Sequence, residues 1–200
     1  MKTVSGLFDH YDDALTAVNK LQTLGIDRAA ISLVSNHADA RRAASSNDSN
    51  AGEDAAAGAG IGAAIGGAGG LLAGLGLLAI PGIGPVVAAG WLVATGVGAV
   101  AGGAIGGAVG GIVGSMTSAG VPERDAHVYA EGVRRGGTLV SAKVEDDQSA
   151  PAQAILDEER SVDLTARERL YRDEGWSSFD PDAPVYTDDE IVRERQRYRA

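Results

Sequence analysis

No cysteine occurs anywhere in the 200-residue chain, and from Ala55 to Pro122 there is no Asp, Glu, Lys, Arg or His either. The first absence excludes a disulfide framework and a thiolate metal site, and fits a reducing cytoplasm. The second removes acid–base, ion-pair and metal-ligand chemistry from a third of the chain. Positive charge is also scarce: 17 Lys and Arg stand against 27 Asp and Glu, a formal net charge of -10. An acidic balance argues against a general nucleic-acid binder, whose affinity rests on neutralising phosphates. The opening Met1-Lys2-Thr3-Val4-Ser5-Gly6 has no apolar core followed by a small-residue cleavage site, so no signal peptide is expected.

What fills the uncharged stretch is glycine, 22 of the chain's 29. Gly58, Gly62, Gly66, Gly70 and Gly74 recur every fourth residue, as do Gly98, Gly102, Gly106, Gly110 and Gly114 beyond Pro81-Gly82-Ile83-Gly84-Pro85. On a helix this spacing clears one ridge of side chains and lets two backbones approach closely. The pattern predicts a helical hairpin with a glycine seam on each arm and its turn at Pro81, Gly82, Gly84 and Pro85. The first arm, Ala55 to Ile80, would be roughly 39 Å long as a helix, enough to cross a hydrocarbon core of about 30 Å. Each glycine costs about 1 kcal/mol against alanine in an aqueous helix, so each arm needs a close partner or lipid. Trp91, near the turn, suits an interfacial indole or a buried packing role.

Outside the stretch, periodicity is ordinary. Thr3 to Phe8 alternates as a strand with one buried face, and Ala14, Leu15, Val18, Leu21 and Leu24 share one helical face up to Gly25. Ala30 to Val34 reads as a second strand. Ser35 to Asp54 is Ser, Asn, Asp and Ala rich and reads as a flexible linker. Pro122-Glu123 opens a helix through Val133, Thr138 to Val144 alternates as the clearest strand, and Asp147 to Glu159 is amphipathic. A brief strand is expected around Val162-Asp163-Leu164. The remainder mixes charge with Trp176, Phe179, Pro181, Pro184 and Tyr186 and reads as an extended tail, except that Thr187-Asp188-Asp189-Glu190 carries a capping-box pattern for a final helix.

The order β-α-β then β-α-β, with the hairpin and one extra helix between, gives an α+β fold: a ferredoxin-like sandwich with two helices on one face of the sheet. The expected division is 1–34 and 122–165 for the halves of that domain, 35–54 for the linker, 55–121 for the hairpin and 166–200 for an acidic, aromatic, partly disordered tail.

The N-terminal strand and helix, Pro81-Gly82-Ile83-Gly84-Pro85, Gly120-Val121-Pro122-Glu123, the run from Tyr129 to Val140 (Tyr-Ala-Glu-Gly-Val-Arg-Arg-Gly-Gly-Thr-Leu-Val) and Ala154-Ile155-Leu156 together resemble the general stress protein 17M-like family. That family includes heat-induced and low-temperature-induced bacterial proteins. The resemblance covers about residues 3–165 and implies a stress-associated bacterial protein, with no reaction, cofactor or catalytic residue to carry over.

The residues themselves point away from catalysis. No GxGxxG lies in the glycine-rich stretch and no lysine stands near it for a phosphate loop. His10, His37 and His127 are far apart and at no metal-ligand spacing. Asp12-Asp13 and Asp146-Asp147 fit caps and dipole partners better than paired catalytic carboxylates. Arg193, Arg195, Arg197 and Arg199 suit the negative end of a last helix, or a contact with anionic lipid or RNA.

The expectation is therefore a protein that is not an enzyme and takes no cofactor or metal. It would be a homo-oligomer whose zipper hairpin contacts membrane lipid, on the cytoplasmic side of the inner membrane. The alternatives are a soluble scaffold whose hairpins share an apolar core, placed in the cytoplasm, and a regulator that binds a small molecule on its sheet. No nucleic-acid partner is expected, and no small-molecule ligand is identifiable.

Overall fold

The computed structural model describes residues 1–36, 76–80, 82–92 and 110–198. These form an α+β fold around one antiparallel sheet. The strands are β1 (Lys2–Phe8), β2 (Ile31–Ser35), β3 (Gly76–Ile80), β4 (Gly84–Ala89) and β5 (Thr138–Val144), in the spatial order β1-β5-β2-β4-β3. The helices are α1 (Tyr11–Thr23), the short α2 (Ser115–Ser118), α3 (Glu123–Arg134), α4 (Ser149–Glu158), α5 (Leu164–Asp173) and α6 (Asp188–Arg197).

Alternation along the strands feeds two cores rather than one. Val4 and Phe8, Leu33, Val87, and Val140 with Ala142 face α1 and α4, which contribute Ala14, Val18, Leu21, Ala152 and Leu156. Leu7, Val34, Val86, Ala88 and Leu139 face the other way, onto Ala126, Tyr129, Ala130 and Val133 of α3 and onto Ile112, Val113 and Met116. The sheet is thus covered on both faces, and the two-layer expectation is corrected: the helix read as an extra forms part of a third layer.

Three further readings are corrected. The turn at 82–83 joins two strands, not two helices: Ile80 pairs with Gly84 and Gly76 with Ala88, and β4 continues onto β2 through Leu33↔Ala89. Glycine is poorly suited to a helix interior, whereas β2 offers a ladder, and Pro81-Gly82 is a turn signal that the Gly82 backbone at φ +72° fulfils. Ser35 and Asn36 are fully buried rather than linker; Asn36 donates from Nδ2 to the carbonyls of Ile83 (3.4 Å) and Arg134 (3.3 Å). Residues 37–54 lie outside the described residues.

Val162-Asp163-Leu164 is not a strand, because Asp163 caps α5 with bonds from Thr165 N–H (2.9 Å) and Ala166 N–H (3.0 Å). Only Val162 keeps a strand-like link, donating to the Leu7 carbonyl at 2.7 Å.

Candidate functional site

The ten seam glycines divide sharply. Gly58, Gly62, Gly66, Gly70, Gly74, Gly98, Gly102 and Gly106 lie outside the described residues, as does Pro81. Gly110 and Gly114 belong to one wide helical turn, and Gly111 between them is non-helical (φ -11°, ψ -137°), so no continuous helical ridge passes through that pair. Gly82, Gly84 and Pro85 are described, and at Gly82 and Gly84 the structure adds something the sequence did not announce.

The segment 176–186 lies across that turn as a strap. A Cβ on Gly82 would fall 2.7 Å from both the Asp180 carbonyl oxygen and Pro181 Cα, and one on Gly84 would collide with Val185 Cγ1. Both glycines also need positive φ, +72° and +92°. The strap leaves α5 at Gly175, and the Trp176 ring stands edge-on to Tyr171 at 5.6 Å. Phe179 packs on the core beneath α3, and its N–H donates to His127 Nδ1 at 3.2 Å. Arg134 Nη2 donates to the Pro184 carbonyl at 2.9 Å while its guanidinium sits 4.6 Å from the Tyr186 ring centroid. Thr187 then starts α6 with a full capping box.

Beside the strap, α3, α5 and α6 are joined by buried charges. Glu131, 1 % exposed, accepts from Arg135 Nε (2.7 Å) and Arg134 Nη1 (3.0 Å). Arg135 also reaches Glu174 and Glu194 and lies 4.3 Å over the Tyr171 ring. Arg197 bridges the same two glutamates at 2.7 and 2.9 Å. Across the cluster, Arg167 makes a bidentate pair with Asp9 at 2.9 and 2.7 Å and stacks on Tyr198 at 3.7 Å. Burial works against the Arg135 charge, but its hydrogen bonds to Glu174 and Glu131 outweigh it and hold the guanidinium firmly protonated.

An open cleft of about 260 Å³ runs between α3, α5 and the start of the strap, with His127, Arg124, Glu168, Arg172 and Trp176 on its walls. Glu168 is buried and takes bonds from Arg124 and, at 3.0 Å, from Arg172 Nε; these hold its carboxyl below the usual range, Arg124 most of all. Both guanidiniums are therefore engaged, and with Glu123 the walls are close to neutral, which selects no ionic ligand. Among the described residues no group of three or more acidic or histidine side chains is placed to hold a metal ion.

Sequence reasoning missed this region because it read 166–200 as a tail. The capping box and the aromatic anchors were visible; the pairing of its Arg and Glu with Arg135, Glu131 and Asp9 was not. Trp91 is buried, with Lys143 Nζ 4.1 Å over its ring, a packing role and not an interfacial one. Among the described residues no helix is long and apolar enough to cross a membrane. No protein-family model, curated protein or solved structure matches the chain.

Proposed function

We propose that this is a non-enzymatic bacterial stress-response scaffold that self-associates through its two glycine-repeat segments. The observation carrying this reading is the docking of β3 and β4 into the sheet, which ties both repeats to one folded core. The repeat Gly58–Gly74 enters that core at β3, and the repeat beginning at Gly98 re-enters it at Gly110. Segments with no charge and with glycine at every fourth position suit close backbone packing against copies of themselves.

The core that carries them supports a ferredoxin-like assignment. Such a sheet places its third strand between the first two and its fourth beside the first; β5 lies between β1 and β2, and Val162 bonds to Leu7 where the fourth strand would run. The stress-related role rests on the family resemblance. Membrane association is the second reading, favoured by the absence of charge from Ala55 to Pro122.

Sedimentation velocity of the full chain tests the scaffold. Wild type is expected to sediment as an oligomer and the double variant Gly66→Leu, Gly106→Leu as a smaller species. Equal sedimentation of the two refutes it. Retention of the wild-type chain in membranes after a carbonate wash would favour the second reading.

A further inference from the structure

We propose that His127 is a proton-operated latch on the 176–186 strap, releasing it from the β3–β4 turn when the imidazole gains its second proton. This deepens the scaffold reading, on which its regulatory meaning rests, because the uncovered turn lies between the two glycine-repeat segments.

The chemistry is local. His127 Nδ1 accepts the Phe179 N–H at 3.2 Å, so the neutral ring must carry its hydrogen on Nε2, which lies 3.9 Å from Glu123 Oε1. A second proton can only go to Nδ1. There it turns the acceptor into a donor pointing at another donor, and the bond becomes a repulsion. Histidine is the side chain that ordinarily changes charge between roughly pH 5 and 8.

The charged groups facing the ring come from each element around it. They are Glu123 and Arg124 of α3 and Glu168 and Arg172 of α5. His127 is 24 % exposed, so a proton can reach it without unfolding. The strap's other holds at this end are Phe179 packing and the Trp176 ring against Tyr171, and at its far end Arg134 donates to the Pro184 carbonyl. Release would therefore begin at Phe179 and work toward Asp180 and Pro181, the two residues seated on Gly82.

Amide hydrogen exchange by NMR on the full chain, with rates corrected for intrinsic pH dependence, tests the latch. Between pH 7.5 and 5, protection at Phe179 and across 177–183 should fall by about 10-fold, an opening free-energy change of about 1.4 kcal/mol. Protection in β5 should stay constant. In His127→Gln the pH dependence should disappear. A wild-type strap with pH-independent protection, or a His127→Gln chain that keeps the wild-type dependence, overturns the proposal. Imidazole nitrogen shifts need no variant: at pH 7.5 they should show the Nε2–H tautomer, and a dominant Nδ1–H tautomer would sink the latch outright. Exchange is read within each chain, so the latch can fail while Gly66→Leu, Gly106→Leu still dissociates the oligomer, and the reverse.

Discussion

Single residues hold this molecule together where charge meets burial. Glu131 serves two arginines from inside the protein, and removing one partner of a buried ion pair strands the other. Glu131→Gln should lower the unfolding free energy by about 3 kcal/mol in urea titration. Every one of the five tyrosines is held above its ordinary pKa, chiefly by burial, with Tyr171 pushed up to about 12. A group raised on folding contributes stability that is intact below its unfolded value and drains away as pH climbs past it, here from about pH 10 upward. The 295 nm absorbance of the native chain should rise little near pH 10 and then jump cooperatively with alkaline unfolding. A smooth rise for all five around pH 10, with circular dichroism unchanged, would contradict that. Gly132 fits against Leu7, where a Cβ would lie 2.9 Å from Cδ1 and collide with Cδ2; Gly132→Ala should destabilise by about 1–3 kcal/mol.

Among the elements, α6 shows how a weakly apolar helix is fixed. Its capping box at Thr187 and Glu190 satisfies its first amides, and Ile191, Glu194 and Arg195 reach the core, the network and the Asp9 carbonyl. Thr187→Ala should cost about 1 kcal/mol and speed exchange in α6 before any other helix. The start of this helix was legible because a capping box is a local pattern. Its docking was not, since Arg135, Glu174, Glu194 and Arg197 meet only in space and hydropathy gives such pairs no weight. Strands β1 and β5 were legible through alternation, β2 as a short strand following α1, and α1 and α4 through their apolar faces. Strands β3 and β4 were hidden: Gly76-Leu77-Leu78-Ala79-Ile80 and Pro85-Val86-Val87-Ala88-Ala89 do not alternate in polarity, and glycines at every fourth position drew the eye to a helix. For β4 the reason is physical, since a strand buried on both faces has no polar side to show.

At the scale of the whole molecule, the residues read as a tail complete the fold. Tyr171 is fully buried, α5 and α6 close over the end of α3 through Arg135, and Arg167 ties α5 to Asp9. A chain ending before Leu164 should lose on the order of 10 °C in Tm by calorimetry, because Arg135 and Asp9 would lose partners together. A truncated chain melting with the full one would return those residues to the status of an appendage.

The seat of β5 between β1 and β2 has a consequence in time. Lys2 pairs with Val144 and Ile31 with Ala142, so the strand between β1 and β2 is made more than a hundred residues after the two it joins. During synthesis the first two strands wait without their common neighbour while the whole uncharged, glycine-rich stretch emerges from the ribosome ahead of it. Closing such distant ends is slow and leaves apolar chain exposed meanwhile. The nascent chain thus passes through a window in which its longest uncharged segment is out and its sheet is not yet made.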